Sequence, residues 1–205
     1  MTKYYLLLLT VLFIACNGQS QKTSSDSQSK NPIKVIQERE QIAVEKQYDN
    51  LGELISTIEF GVQTDNKTDF EDGIIPWASL QNPENDIPNL IDKDEVVIKQ
   101  ASIKIIIDYP LTNQYEFTLT SDKGFTRAQL LSEISRHYYK VFDEEEESAT
   151  VKTIPADKRT TIANRNETDG KYGIWGHDIA DLVLSGISVY KTTNGDIVLS
   201  LNIES

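Results

Sequence analysis

Residues 172–186, Tyr-Gly-Ile-Trp-Gly-His-Asp-Ile-Ala-Asp-Leu-Val-Leu-Ser-Gly, concentrate the residue types that can do chemistry. They include His177, one of two histidines in the chain, together with Asp178 and Asp181. An imidazole that titrates near neutral pH beside two carboxylates could move protons in a hydrolysis. The same residues can also turn a corner. Gly173 and Gly176 permit backbone turns that a side chain forbids. Asp178 can cap a helical turn, with Asp181 favoured inside it by the helix dipole, and Trp175 can seal the bend. Only His177 has no task in such a corner. We therefore expect a corner, with a carboxylate–histidine hydrolase site at His177, Asp178 and Asp181 as the alternative.

Other chemistries find less support. A serine nucleophile needs Gly-x-Ser-x-Gly on a strand–turn–helix, whereas Ser185 and Ser188 lie in a strand-like run. Zinc needs three or four His, Cys, Asp or Glu ligands, and His137 and His177 have no paired spacing, so no metal and no cofactor is expected. His137 itself falls nearer the polar face of its helix and reads as a surface or boundary residue. Residues 164–170, Asn-Arg-Asn-Glu-Thr-Asp-Gly, resemble a calcium loop in Asn164, Asn166 and Thr168. The glycine sits one place late and no bidentate Glu follows, so this segment reads as a turn, as does Asp-Lys-Asp-Glu at 92–95. Gly170, Gly173 and Gly176 could cradle a phosphate, but the Gly-Lys-Ser/Thr ending and a preceding strand are missing. A carboxylate pair for glycoside hydrolysis is set by the fold, not by spacing; Asp108, Glu116, Asp178 and Asp181 are the candidates.

The N-terminus is more informative. Lys3 precedes a largely apolar run from Tyr4 to Ile14, which is shorter than the roughly 18 residues a membrane-spanning helix needs. The run ends in Phe-Ile-Ala-Cys, at the only cysteine of the chain. This resembles the lipobox of bacterial lipoproteins over the first sixteen residues, departing from it in having Phe13 where Leu is usual. The resemblance implies a signal peptide over 1–15, acylation of Cys16 with chains such as palmitate, and a domain held at the bacterial cell envelope, outside the cytoplasm. It also gives the lone cysteine a purpose, and leaves the mature chain without a disulfide. Residues 16–32 are rich in Ser, Gln, Asn and Lys with no large apolar side chain, the composition of a flexible tether.

The chain has 20 basic and 32 acidic side chains, a net charge of −12. Without Lys3 the balance is 19 against 32, or −13. Nucleic acid and anionic lipid surfaces demand the opposite sign. A cationic protein partner is compatible, and the chain reads as an acidic binding module, of inhibitor or immunity type, anchored to the membrane through Cys16.

These residues need a scaffold, and 33–205 suffices for one domain. Apolar spacing predicts helix over 33–60, interrupted near Asn50 and Gly52. Residues 61–94 are turn-rich, with Trp77 expected to seal the loop onto the core. Alternation predicts strands in 94–110 and 115–121, paired as an antiparallel hairpin. Thr126 and Gln129 form a capping box, Phe125 and Leu130 a staple, and Leu130, Leu131, Ile134, Tyr138, Val141 and Phe142 share one helical face. Asp143 to Glu147 oppose the helix dipole, so fraying is expected there, with Lys140, Lys152, Lys158 and Arg159 partly neutralising a solvated end. Asn194-Gly195 between alternating runs marks a final hairpin. The fold class is α+β: an antiparallel sheet of four or more strands with the amphipathic helix 126–142 packed on one face.

Overall fold

The computed structural model describes residues 32–44, 50–160 and 165–205. Cys16, the expected signal peptide over 1–15 and residues 16–31 of the expected tether lie outside them. Helix α1 (Pro32–Val44) comes first, then strands β1 (Glu53–Glu59), β2 (Val62–Gln63), β3 (Ile74–Ile75) and β4 (Ala78–Ser79) and the short helix α2 (Pro83–Asp86). Strands β5 (Val96–Ile98), β6 (Ser102–Ile107), β7 (Tyr115–Thr120) and β8 (Phe125–Thr126) lead into helix α3 (Arg127–Ser148). Strands β9 (Val183–Lys191) and β10 (Ile197–Glu204) close the fold.

The main sheet runs β1-β9-β10-β6-β7, with β4 added on β9. Two of its pairs are hairpins: β6 with β7, and β9 with β10 around Asn194-Gly195, where Gly195 has φ +90°. The fold is α+β as the pattern implied. One pair differs from the antiparallel expectation, because β10 lies parallel to β6. The two hairpins are joined by a long crossover through α3, and such a connection delivers parallel neighbours.

Helix α3 packs on the face that carries Ile103, Ile105 and Ile107, and one hydrophobic cluster joins these to Leu130, Leu131, Ile134, Tyr138, Val141 and Phe142. Its N-terminus is the capping box: Thr126 Oγ1 accepts from the Gln129 backbone, and Gln129 Oε1 accepts from the Thr126 backbone. The helix does not fray at the acidic run but continues to Ser148. The reason is Glu145, which is fully buried.

The segment after Gly52 departs from the predicted helix. It is strand β1, paired with β9 from Glu53↔Lys191 to Glu59↔Gly186. Of the residues that suggested a helical face, Leu54 is 54% and Ile55 45% exposed, while Ile58 points into the core with Phe60. The free edge of β9 outweighs a weak helical spacing. The strand predicted over 94–110 is split, with β5 leaving the main sheet to pair with β8. Trp77 is half-buried and stacks edge-on with Phe70 at 5.9 Å, closing the loop upon itself, while Ala78, Leu80 and Leu90 anchor that loop in the core. Every residue of β10 from Ile197 to Leu201 is buried, as befits a central strand.

Candidate functional site

Residues 172–182 form the expected corner. Gly173 and Gly176 have φ +64° and +72°, values that favour glycine. Tyr172, Ile174 and Trp175 are buried, and a single 3-10 turn spans Ile179–Asp181. Asp181 Oδ2 accepts from the Asp178 backbone N–H at 2.8 Å. The Asp178 carboxylate has a different task. Arg159 donates to both its oxygens at 2.5 and 3.2 Å, and Arg165 donates to Oδ1 at 3.3 Å. Arg165 is itself buried and lies over the Phe142 ring.

His177 finds its carboxylate elsewhere. Its Nε2 lies 2.6 Å from Glu40 Oε1, on α1, 137 residues earlier in the chain. The Tyr109 hydroxyl donates to the same carboxylate at 2.9 Å and lies 2.7 Å from Ser205 Oγ. Burial raises the Tyr109 hydroxyl above the ordinary phenol range, the Ser205 bond opposes this, and Glu40 adds to it. The phenol therefore stays protonated and donates. His177 Nδ1 is buried with no hydrogen-bond partner. His177, Asp178 and Asp181 are thus neighbours in the chain whose side chains serve three different contacts. Glu40 and Tyr109, which complete the histidine cluster, carried no signal in the sequence.

Beside this cluster lies a cleft of about 590 Å³. Glu40, Asp108 and Glu204 line it with Tyr109, Ile203 and Ser205, and no lysine, arginine or histidine is among the described residues that do so. One face of α1 forms part of the wall. Ile36, Arg39, Glu40 and Ala43 recur at the spacing of successive helical turns. Arg39 donates to Glu167 at 2.5 Å and to Thr112 Oγ1 at 3.3 Å, with Cζ 5.7 Å from the centre of the Trp175 ring.

The glycine-rich loop considered as a phosphate cradle does surround an anion, and that anion is Glu145. The Glu145 carboxylate accepts from the Thr168 hydroxyl at 2.6 Å and from the backbone N–H groups of Gly170, Tyr172 and Gly173 at 2.8, 2.7 and 3.1 Å. Burial raises this carboxyl, but the Thr168 and backbone bonds outweigh it and hold it below the ordinary range. Gly170 is required by contact: a Cβ there would lie 2.7 Å from the Glu145 carbonyl oxygen. Nearby, Glu144 pairs with Lys171 at 2.7 Å, and the Lys152 ammonium bonds the Glu146 carbonyl. The acidic run is thus tied into the fold.

The calcium-like segment serves the same purpose over its described residues, 165–170; Asn164 lies outside them. Asn166 bonds Lys152 and Ile154 backbone groups, and Asp169 accepts from Thr150 and Val151. Of the four carboxylates considered for glycoside hydrolysis, only Asp108 lines the cleft, while Glu116 pairs with Lys104 at 3.1 Å on β7. His137 is buried, contrary to the boundary position expected, and its ring stacks on Phe117 at 3.5 Å. Arg136 has only protons to offer to His137 Nε2, so the imidazole proton resides on Nδ1 and is donated to the Tyr115 hydroxyl oxygen at 2.9 Å. Burial, then the Arg136 guanidinium, push His137 down to about 4.

Among the described residues, no group of three or more His, Cys, Asp and Glu is placed to hold a metal ion, and no helix is long and apolar enough to cross a membrane. Comparison of the chain with family models, curated proteins and solved structures gives no match.

Proposed function

We propose that this chain is an envelope lipoprotein, held to the membrane through acylated Cys16, whose domain is a binding module for a cationic protein partner. The observation that carries this reading is the cleft in which Glu40, Asp108 and Glu204 meet without a basic side chain among the described lining residues. A net charge of −12 extends the same sign over the whole molecule and would steer a basic partner towards it. The hydrolase alternative has less to support it. His177 uses Nε2 on Glu40 and buries Nδ1, and Asp178 is held by two arginines.

The test is crosslinking in the native cell with the wild-type chain and with an Asp108→Asn/Glu204→Gln variant. The partner should be recovered with the wild type and several-fold less with the variant, and in a pull-down without crosslinker it should be released as ionic strength rises past the range where screening becomes short. Equal recovery by both chains, or binding indifferent to salt, would remove the electrostatic reading.

A further inference from the structure

The contact between Arg39 and the corner has the form of ligand recognition. Its three parts suit a guanidinium in particular: an indole face for the flat cation, a carboxylate oxygen for one N–H and a hydroxyl oxygen for another. Those parts are Trp175, Glu167 and Thr112. Lysine, a compact point charge, cannot stack and bond as a planar fork at once. Thr112 and Trp175, two of the three parts, are held firmly by the corner, while Glu167 is exposed. Thr112 is fixed by its N–H on the Tyr172 and Gly173 carbonyls, and its hydroxyl donates to the Gly173 carbonyl at 3.0 Å, leaving a lone pair for Arg39. The Trp175 backbone bonds the Pro110 carbonyl, and its ring stands edge-on to Tyr109 at 5.3 Å.

The donor side is held far more lightly. No α1 side chain described, from 34 to 43, is buried. Its described contacts with the corner include Ile36 over Gly176 and the polar contacts of Arg39 and Glu40. The helix has 13 residues, with no acidic side chain in its first turn and no basic one in its last. An isolated helix of this length is marginal in water, so α1 persists only while docked.

We infer that Trp175, Glu167 and Thr112 form a receptor for an arginine side chain of the partner, and that Arg39 occupies it from within the chain until displaced. This rests on the reading of the domain as a module for a cationic partner, and it adds the residue type recognised and an internal competitor. Displacing α1 also takes Glu40 and Ala43 out of the cleft wall and leaves Asp108 and Glu204 as its carboxylates.

The test uses the full chain in a Trp77→Phe background, where Trp175 is the remaining indole, with N-acetyl-arginine amide, N-acetyl-lysine amide and a tri-arginine peptide as probes. An internal competitor lowers apparent affinity by the fraction of receptor it leaves vacant, so Arg39→Ala should bind arginine amide about tenfold tighter than the wild type. It should prefer arginine over lysine amide, and adding Glu167→Gln should abolish the gain. In the wild type, the tri-arginine peptide should accelerate hydrogen exchange of α1 amides while the amides of Tyr172 to Trp175 keep their protection. Equal affinity in wild type and Arg39→Ala, equal affinity for lysine amide, or unchanged α1 exchange with peptide bound would each overturn the inference. Loss of tri-arginine binding through Asp108→Asn/Glu204→Gln but not through Glu167→Gln would leave the acidic-cleft reading standing and remove the receptor. The reverse pattern would remove the cleft and keep the receptor.

Discussion

The Tyr172 backbone nitrogen donates to Glu145 Oε2 at 2.7 Å, which fastens the C-terminal end of α3 to the corner that carries His177. A carboxylate from the middle of a five-residue acidic run is therefore the internal anion around which the loop 168–173 closes.

Glu145→Ala should destabilise the protein by about 3 kcal/mol, because it leaves a hydroxyl and three backbone donors without their charged acceptor. Glu145→Gln should lose less, as one oxygen remains to accept. The native carboxyl lies below its unfolded value, so its contribution is complete above the ordinary glutamate range and is lost as pH falls through the lower, native value. Urea unfolding measures each variant. A loss under about 1 kcal/mol for the alanine variant would show that the loop does not depend on this anion.

His137 supplies a second pH dependence in a different window. Its native value of about 4 lies below the ordinary imidazole value of 6.5, so between these limits the unfolded chain takes up a proton that the native chain refuses. Stability should fall as pH is lowered from about 6.5 to about 4, by at most roughly 3 kcal/mol in all, and change no further from this group below that. His137→Gln should flatten this part of the stability–pH curve. An unaltered curve would assign the effect to other groups.

Asp178 should prove structural. Asp178→Asn weakens the acceptor shared by Arg159 and the buried Arg165, and should lower stability by about 2 kcal/mol. The double variant Asp178→Asn/Arg165→Met should lose less than the sum of the two single changes, since each removes the same contact. Additive losses in thermal melts would mean that the two residues act independently.

Cys16→Ala should move the protein from the membrane fraction to the soluble fraction and abolish incorporation of labelled palmitate. Each buried methylene of an acyl chain contributes about 0.8 kcal/mol to membrane association, so its loss should be plain in a detergent phase partition. Retention in the membrane fraction would exclude a lipid on this cysteine as the anchor.

Much of the scaffold could be read directly because its signals are local. Thr126 and Gln129 are three residues apart and cap each other, Asn194-Gly195 sets its own turn, and the alternation of Ile103, Ile105 and Ile107 states which side of β6 faces the core. The corner at 172–182 was legible for the same reason, since its glycines and the pairing of Asp181 with the Asp178 backbone are contiguous. Contacts between distant segments were not. The β1 segment is a strand because β9 offers it an edge, and β6 and β10 run parallel because a long crossover brings them side by side. Glu145 looked like one solvated charge among five until the loop 168–173 closed on it. His177 meets Glu40, and Arg39 meets Trp175 and Glu167, only because α1 docks on a corner more than 120 residues further along the chain. Residue type and local spacing determine turns, caps and amphipathic faces. The partner of a charged side chain is decided by which segments the folded core brings within about 3 Å, the range over which a hydrogen bond acts.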